Sequence, residues 1–149
     1  MANQKKFSEA IAIVENIGAA SLTANTYNST TWVDMKEFQR FAGVLVGGLT
    51  AATGTMVFSL VQATTTTGTS SKAIANCTAV ITDDTFDDKQ IIINGSAADL
   101  DLANGFRFVG LQIVTAVAAT IAGAVLLGVY PYDGPASDSD HADVAQIIN

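Results

Sequence analysis

Phe41-Ala42-Gly43-Val44-Leu45-Val46, then Gly47-Gly48-Leu49-Thr50-Ala51-Ala52-Thr53-Gly54-Thr55, then Met56-Val57-Phe58-Ser59-Leu60-Val61 follow one another without a charged residue. The stretch is about as long as the roughly 20 residues a membrane-spanning helix needs, so its reading decides between a membrane protein and a β fold. Two runs rich in Val, Leu, Met and Phe flank a middle of Gly, Thr and Ala, which is the pattern of strand, turn and strand in a hairpin. Neither end carries a Lys/Arg cluster to set a topology, and Trp32 lies away from both boundaries, so no membrane partner is expected.

A second uncharged stretch, Phe108 to Tyr132, follows the same plan. Phe108-Val109-Gly110-Leu111-Gln112-Ile113-Val114 leads through small residues (116–123) to Ala124-Val125-Leu126-Leu127-Gly128-Val129. Sliding the chain along itself by 67 positions sets Asp34 on Asp101, Arg40 on Arg107, Phe41 on Phe108, Gly43 on Gly110 and Leu60 on Leu127. Two copies at so long a period do not make a solenoid. They predict a mainly β protein, a jelly-roll-like β-sandwich of two pseudo-symmetric halves, each built on a long hairpin.

Around these units, 149 residues fit one domain, 1–149, with a core that needs neither metal nor disulfide. Ala10-Ile11-Ala12-Ile13-Val14, Thr30-Thr31-Trp32-Val33, Lys72-Ala73-Ile74, Val80-Ile81-Thr82 and Ile91-Ile92-Ile93 read as further strands, with 16–27 as a connection. Thr-rich residues 62–71 read as an exposed loop. Residues 1–8 and 131–149 are expected to extend as arms, the second docking Val144, Ile147 and Ile148 on a neighbour. Trp32, Phe41, Phe58 and Phe108 are expected packing or interface anchors, and Asp34 with Arg40 and Asp101 with Arg107, six residues apart in each copy, are expected structural ion pairs.

Chemistry is sparse. His141 is the only histidine and no Gly-x-Ser-x-Gly elbow exists, so a hydrolytic triad is not in prospect and no enzyme is expected. Asp83-Asp84-Thr85-Phe86-Asp87-Asp88 lacks the spacing, the central Gly and the terminal Glu of a calcium loop, and reads as a solvated turn. One histidine among Asp138, Asp140 and Asp143 is a weak metal signal. Cys77, the only cysteine, cannot form an intrachain disulfide and reads as a small packing residue. No cofactor is implied. A formal charge of −7 with seven basic residues excludes a surface that binds nucleic acid by counterion release.

Trp32-Val33-Asp34-Met35-Lys36, Arg40-Phe41, Val57-Phe58-Ser59-Leu60-Val61-Gln62-Ala63-Thr64 with Gly68 and Lys72, Leu100-Asp101-Leu102, Gly105-Phe106-Arg107-Phe108-Val109 and Tyr132-Asp133-Gly134-Pro135-Ala136 resemble a family of small virion proteins of tailed bacteriophages, from about Trp32 onward. The resemblance implies a capsid decoration (cement) protein: a β-sandwich, favoured as a homotrimer, with the major capsid protein as partner. Its place would be the phage head surface, after passage through the host cytoplasm during assembly. A neck, tail or fibre-base protein of the same plan, and a receptor- or carbohydrate-binding β-sandwich module, are the alternative expectations.

Overall fold

The computed structural model describes residues 6–148, and the first five residues of the expected N-terminal arm lie outside them. A four-residue helix, α1 (Phe7–Ala10), leads into nine strands: β1 (Ile11–Leu22), β2 (Tyr27–Ser29), β3 (Val33–Asp34), β4 (Phe38–Thr50), β5 (Thr55–Ala63), β6 (Lys72–Thr82), β7 (Gln90–Ser96), β8 (Phe108–Ala116) and β9 (Thr120–Pro131). They form two antiparallel sheets. The first has the order β1-β9-β4-β7. The second has the order β2-β8-β5-β6, with the short β3 also paired to β8. Two packed sheets of this order are an eight-stranded jelly roll with β3 as an addition, so the expected sandwich is the fold.

The two uncharged stretches are strand, turn and strand, but not hairpins. β4 lies in the first sheet and β5 in the second, and likewise β8 lies in the second and β9 in the first. Each pair is an arch that crosses the sandwich, with a tight Ala51-Ala52-Thr53-Gly54 turn closed by Gly54 N–H donating to the Ala51 carbonyl (2.7 Å) in the first. The packing shows why. Both flanks of β4 are occupied, by β7 and β9, so β5 has no edge to join. A Cβ placed on Gly43 of β4 would stand 3.1 Å from the Phe58 ring and from Leu60 of β5, and 2.9 Å from Leu111 of β8. The arms of the arch therefore meet face to face across the core.

The internal repeat survives as a topological two-fold. Moving β2, β4 and β5 by 67 positions places them on β7, β8 and β9, and β1 falls close to β6. Under this exchange the order β1-β9-β4-β7 becomes β6-β5-β8-β2, which is the second sheet read backwards. Among the described residues, strands of the first half (β1 to β5) pair only with strands of the second (β6 to β9).

The core between the sheets holds Phe38, Phe41, Leu45, Phe58, Leu60, Leu111, Ile113 and Leu126, all 2% exposed or less. Burial of one such side chain contributes about 1.5–3 kcal/mol. Two rings sit over glycines on neighbouring strands: Phe41 against Gly95 of β7, and Phe38 against Gly128 of β9, where a Cβ would come within 2.6 Å. A side chain at either glycine would take the place of a ring.

β1 runs to Leu22, well past the expected end at Val14, and 16–22 is strand rather than connection. The polar pair Glu15 and Asn16 interrupts the apolar pattern, but pairing with β9 continues on both sides of bulges at Ile13/Glu15 and Ile17/Ala20. Of the expected 62–71 loop, Gln62 and Ala63 are instead buried at the end of β5, and the loop proper, 64–71, is mostly exposed yet tied to itself. Thr64 Oγ1 donates to the Thr69 carbonyl, and Gly68 N–H donates to the Thr65 carbonyl.

Candidate interaction surfaces

Of the expected anchors, Phe41 and Phe58 are core residues, 2% and 0% exposed. Trp32 is half-buried, its indole packed against Gly68 of the Thr-rich loop and over Gly110 of β8. Phe108 lies outside the core cluster, buried with the Arg107 guanidinium 5.0 Å from its ring centre.

The expected ion pairs form differently. Asp34 binds Arg107 of the other half (3.1 Å), with Lys36 at 3.6 Å, and Asp101 binds Lys72 (2.5 Å). The exchange follows from topology: β3 pairs with β8, setting Asp34 level with Phe108 and beside Arg107. Arg40 makes no ion pair among the described residues. The Lys72 hydrogen bond, then that of Asn104, holds the Asp101 carboxyl below the usual carboxylate range. At Cys77, burial first and the Asp99 charge second push the thiol up, which makes it a poor nucleophile.

The C-terminal segment turns back on its own chain. Ala136 is fully buried, Asp140 Oδ1 accepts the Ile13 N–H (2.9 Å), and His141 N–H donates to the Ile13 carbonyl (2.6 Å). Asn16 Nδ2 donates to Asp143 (2.9 Å), and the His141 ring lies between Glu15 (3.7 Å) and Asp143 (3.5 Å). Glu15 is buried and accepts the Thr31 hydroxyl. The segment thus straps the outer edge of β1, satisfying backbone groups that an edge strand leaves open. Val144 is half-buried beside this edge, while Ile147 (42%) and Ile148 (84%) stay exposed near Phe7 around a 550 Å³ cleft.

Three surface features stand out. On the outer face of the first sheet, Ile13, Ile17, Val44, Val46, Val125 and Val144 line a groove of 460 Å³. The row Val125-Val44-Ile92 runs across β9, β4 and β7 in register, and Val46 (53%) and Ile92 (64%) stand open to solvent. The outer face of the second sheet carries a matching row, Tyr27-Val114-Val57-Val80. A depression of mixed polar and apolar lining lies beside Arg40 and Tyr130. Periodicity revealed neither outer row, because sequence alone does not say which side of an all-apolar strand faces out.

Among the described residues no three His, Cys, Asp or Glu come together as a metal-binding set, and no helix is long and apolar enough to cross a membrane. No family model matches the chain, and no curated protein matches it. Among solved structures it is similar to one described as "Structure of infectious bursal disease virus Gx strain", with 9% identity and a TM-score of 0.42, over 92% of this chain and 37% of that one. The chain therefore spans little more than a third of that protein's length.

Proposed function

We propose that this chain is a non-enzymatic virion structural protein of the decoration or cement type, which binds the outer surface of a capsid and stabilises junctions between capsomers. The observation that carries this reading is the apolar outer face of the first sheet, with its 460 Å³ groove and the exposed Val46 and Ile92. An antiparallel sheet with one wet face shows polar residues there, and a contiguous apolar face marks a contact surface. The partner on this reading is the major capsid protein, and a homotrimer is the assembly that the tailed-phage resemblance implies. The acidic surface, net −7, would keep such a protein off packaged DNA. A neck, tail or fibre-base position uses the same surfaces and differs in where the protein sits.

The test is the mass of the purified protein by light scattering in detergent-free buffer, followed by co-sedimentation with shells that lack it. A soluble trimer that binds shells at fixed stoichiometry, and whose Val46→Glu/Ile92→Glu double variant folds but no longer sediments, is the expected outcome. A folded protein that ignores shells overturns the reading in favour of a tail or receptor-binding role.

A further inference from the structure

The depression on the outer face of the first sheet holds 500 Å³, mixes polar and apolar lining, and is built from three strands and the turn that carries Asp99. Arg40 of β4 stands level with Ser96 of β7 and Val129 of β9, and Asn94 lies two residues along β7. Tyr130 follows Val129 and lines the same depression, 54% exposed. Ser96 is fixed by Asp99, whose Oδ2 accepts both its N–H (2.7 Å) and its hydroxyl (2.8 Å). Arg40 is the arginine without an ion pair among the described residues, whereas Arg107 is held by Asp34. Tyr130 has φ +53, in the left-handed region where a non-glycine residue in a strand is strained. An aromatic residue held in such a backbone, beside a guanidinium with no ion pair among the described residues, an amide and a braced hydroxyl, points to a ligand.

The lining selects the ligand class. A single cation next to the Asp99 carboxylate does not suit a phosphate or a nucleic acid, and an apolar ligand would strip water from Arg40, Asn94 and Ser96 without return. A pyranose satisfies both parts, offering a C–H face to an aromatic ring and a fringe of hydroxyls to donors and acceptors in fixed places. We propose that Arg40, Asn94, Ser96 and Tyr130 form a saccharide-binding site, a role separate from shell binding and able to hold a particle to a glycan-bearing surface.

The test is an amide NMR titration of the intact protein with methyl glycosides of glucose, galactose and mannose, and with the methyl glycoside of N-acetylneuraminic acid as the carboxylate-bearing arm. Saturable shifts centred on Arg40, Asn94 and Tyr130, with a Kd on the order of 1 mM for at least one sugar, are expected. A neutral sugar that binds as well as the acidic one assigns Arg40 to hydroxyls. A preference for the acidic one that Arg40→Met removes assigns it to the carboxylate. Tyr130→Gly separates binding from folding: glycine accepts this φ, so thermal stability should hold or rise, while affinity falls about tenfold or more. The proposal is overturned if no sugar of the panel gives saturable shifts there, if the shifts map elsewhere, or if Tyr130→Gly binds like the parent.

Discussion

At the scale of single residues, the centre of the sandwich is the place where truncation does most damage. Phe58 is fully buried and faces the bare Cα of Gly43 on the opposite sheet, so neighbours cannot easily close the gap its loss would leave. Phe58→Ala should lower stability by about 3–5 kcal/mol, read from the urea midpoint at unchanged slope; a loss under about 1 kcal/mol would mean that the core collapses into the space. The Asp101–Lys72 contact acts through pH. Because the folded-state pKa of Asp101 lies below its ordinary value, the pair contributes above the ordinary carboxylate pKa of about 3.9, and that contribution is lost as pH falls through the lowered folded value. In Lys72→Met, a carboxyl NMR titration should find Asp101 ionising closer to its ordinary range, and an unchanged curve would assign the shift to Asn104 instead. Sequence offered Asp34, Arg40, Asp101 and Arg107 as charged partners but joined them within each repeat. The actual Asp34–Arg107 pair spans 73 positions and exists because β3 lies beside β8, a neighbourhood that no local spacing encodes. The left-handed φ of Tyr130 was not legible either, since a residue before a proline is expected in extended backbone.

Strand identity was readable from the elements, because runs such as Val57-Phe58-Ser59-Leu60-Val61 and Ile91-Ile92-Ile93 have no other plausible state at their length. Strand pairing was not. A hairpin and an arch share the formula of apolar run, small-residue turn and apolar run; they differ in whether the second run pairs with the first or faces it, which distant strands decide by occupying the edges of β4. The C-terminal segment shows the same limit. Its apolar residues marked it as something that docks, and within this chain residues 136–143 dock on β1 of the same molecule. Ending the chain at Pro135 should therefore uncover the β1 edge. Hydrogen exchange should then show the Ile13 amide losing protection while the Leu111 and Ile113 amides of the second sheet keep theirs. Equal loss in both sheets would mean that the strap supports the whole fold rather than one edge.

At the largest scale, the governing fact is that among the described residues no ladder joins two strands of the same half. Residues 1–67 and 68–149 made as separate chains should each lack cooperative β structure by circular dichroism, and mixing them should restore a single unfolding transition. A first half that melts cooperatively alone would refute this. Non-local pairing of this degree also places the intact chain among slow folders, in the millisecond-to-second range. The approximate two-fold was the largest feature visible in advance, through Arg40/Arg107, Phe41/Phe108 and Gly43/Gly110, although its effect of interleaving the halves emerged only with the sheets. On a ribosome this interleaving becomes a matter of timing. β1 to β5 emerge with every edge unmet, and at roughly 5–20 residues per second the complementary strands, which end at Pro131, take on the order of 3–14 s to follow. Through that interval the nascent chain displays Val, Ile and Phe with no native partner to cover them, so its yield in a cell should depend on holdase chaperones and on synthesis rate more than on the stability of the finished protein.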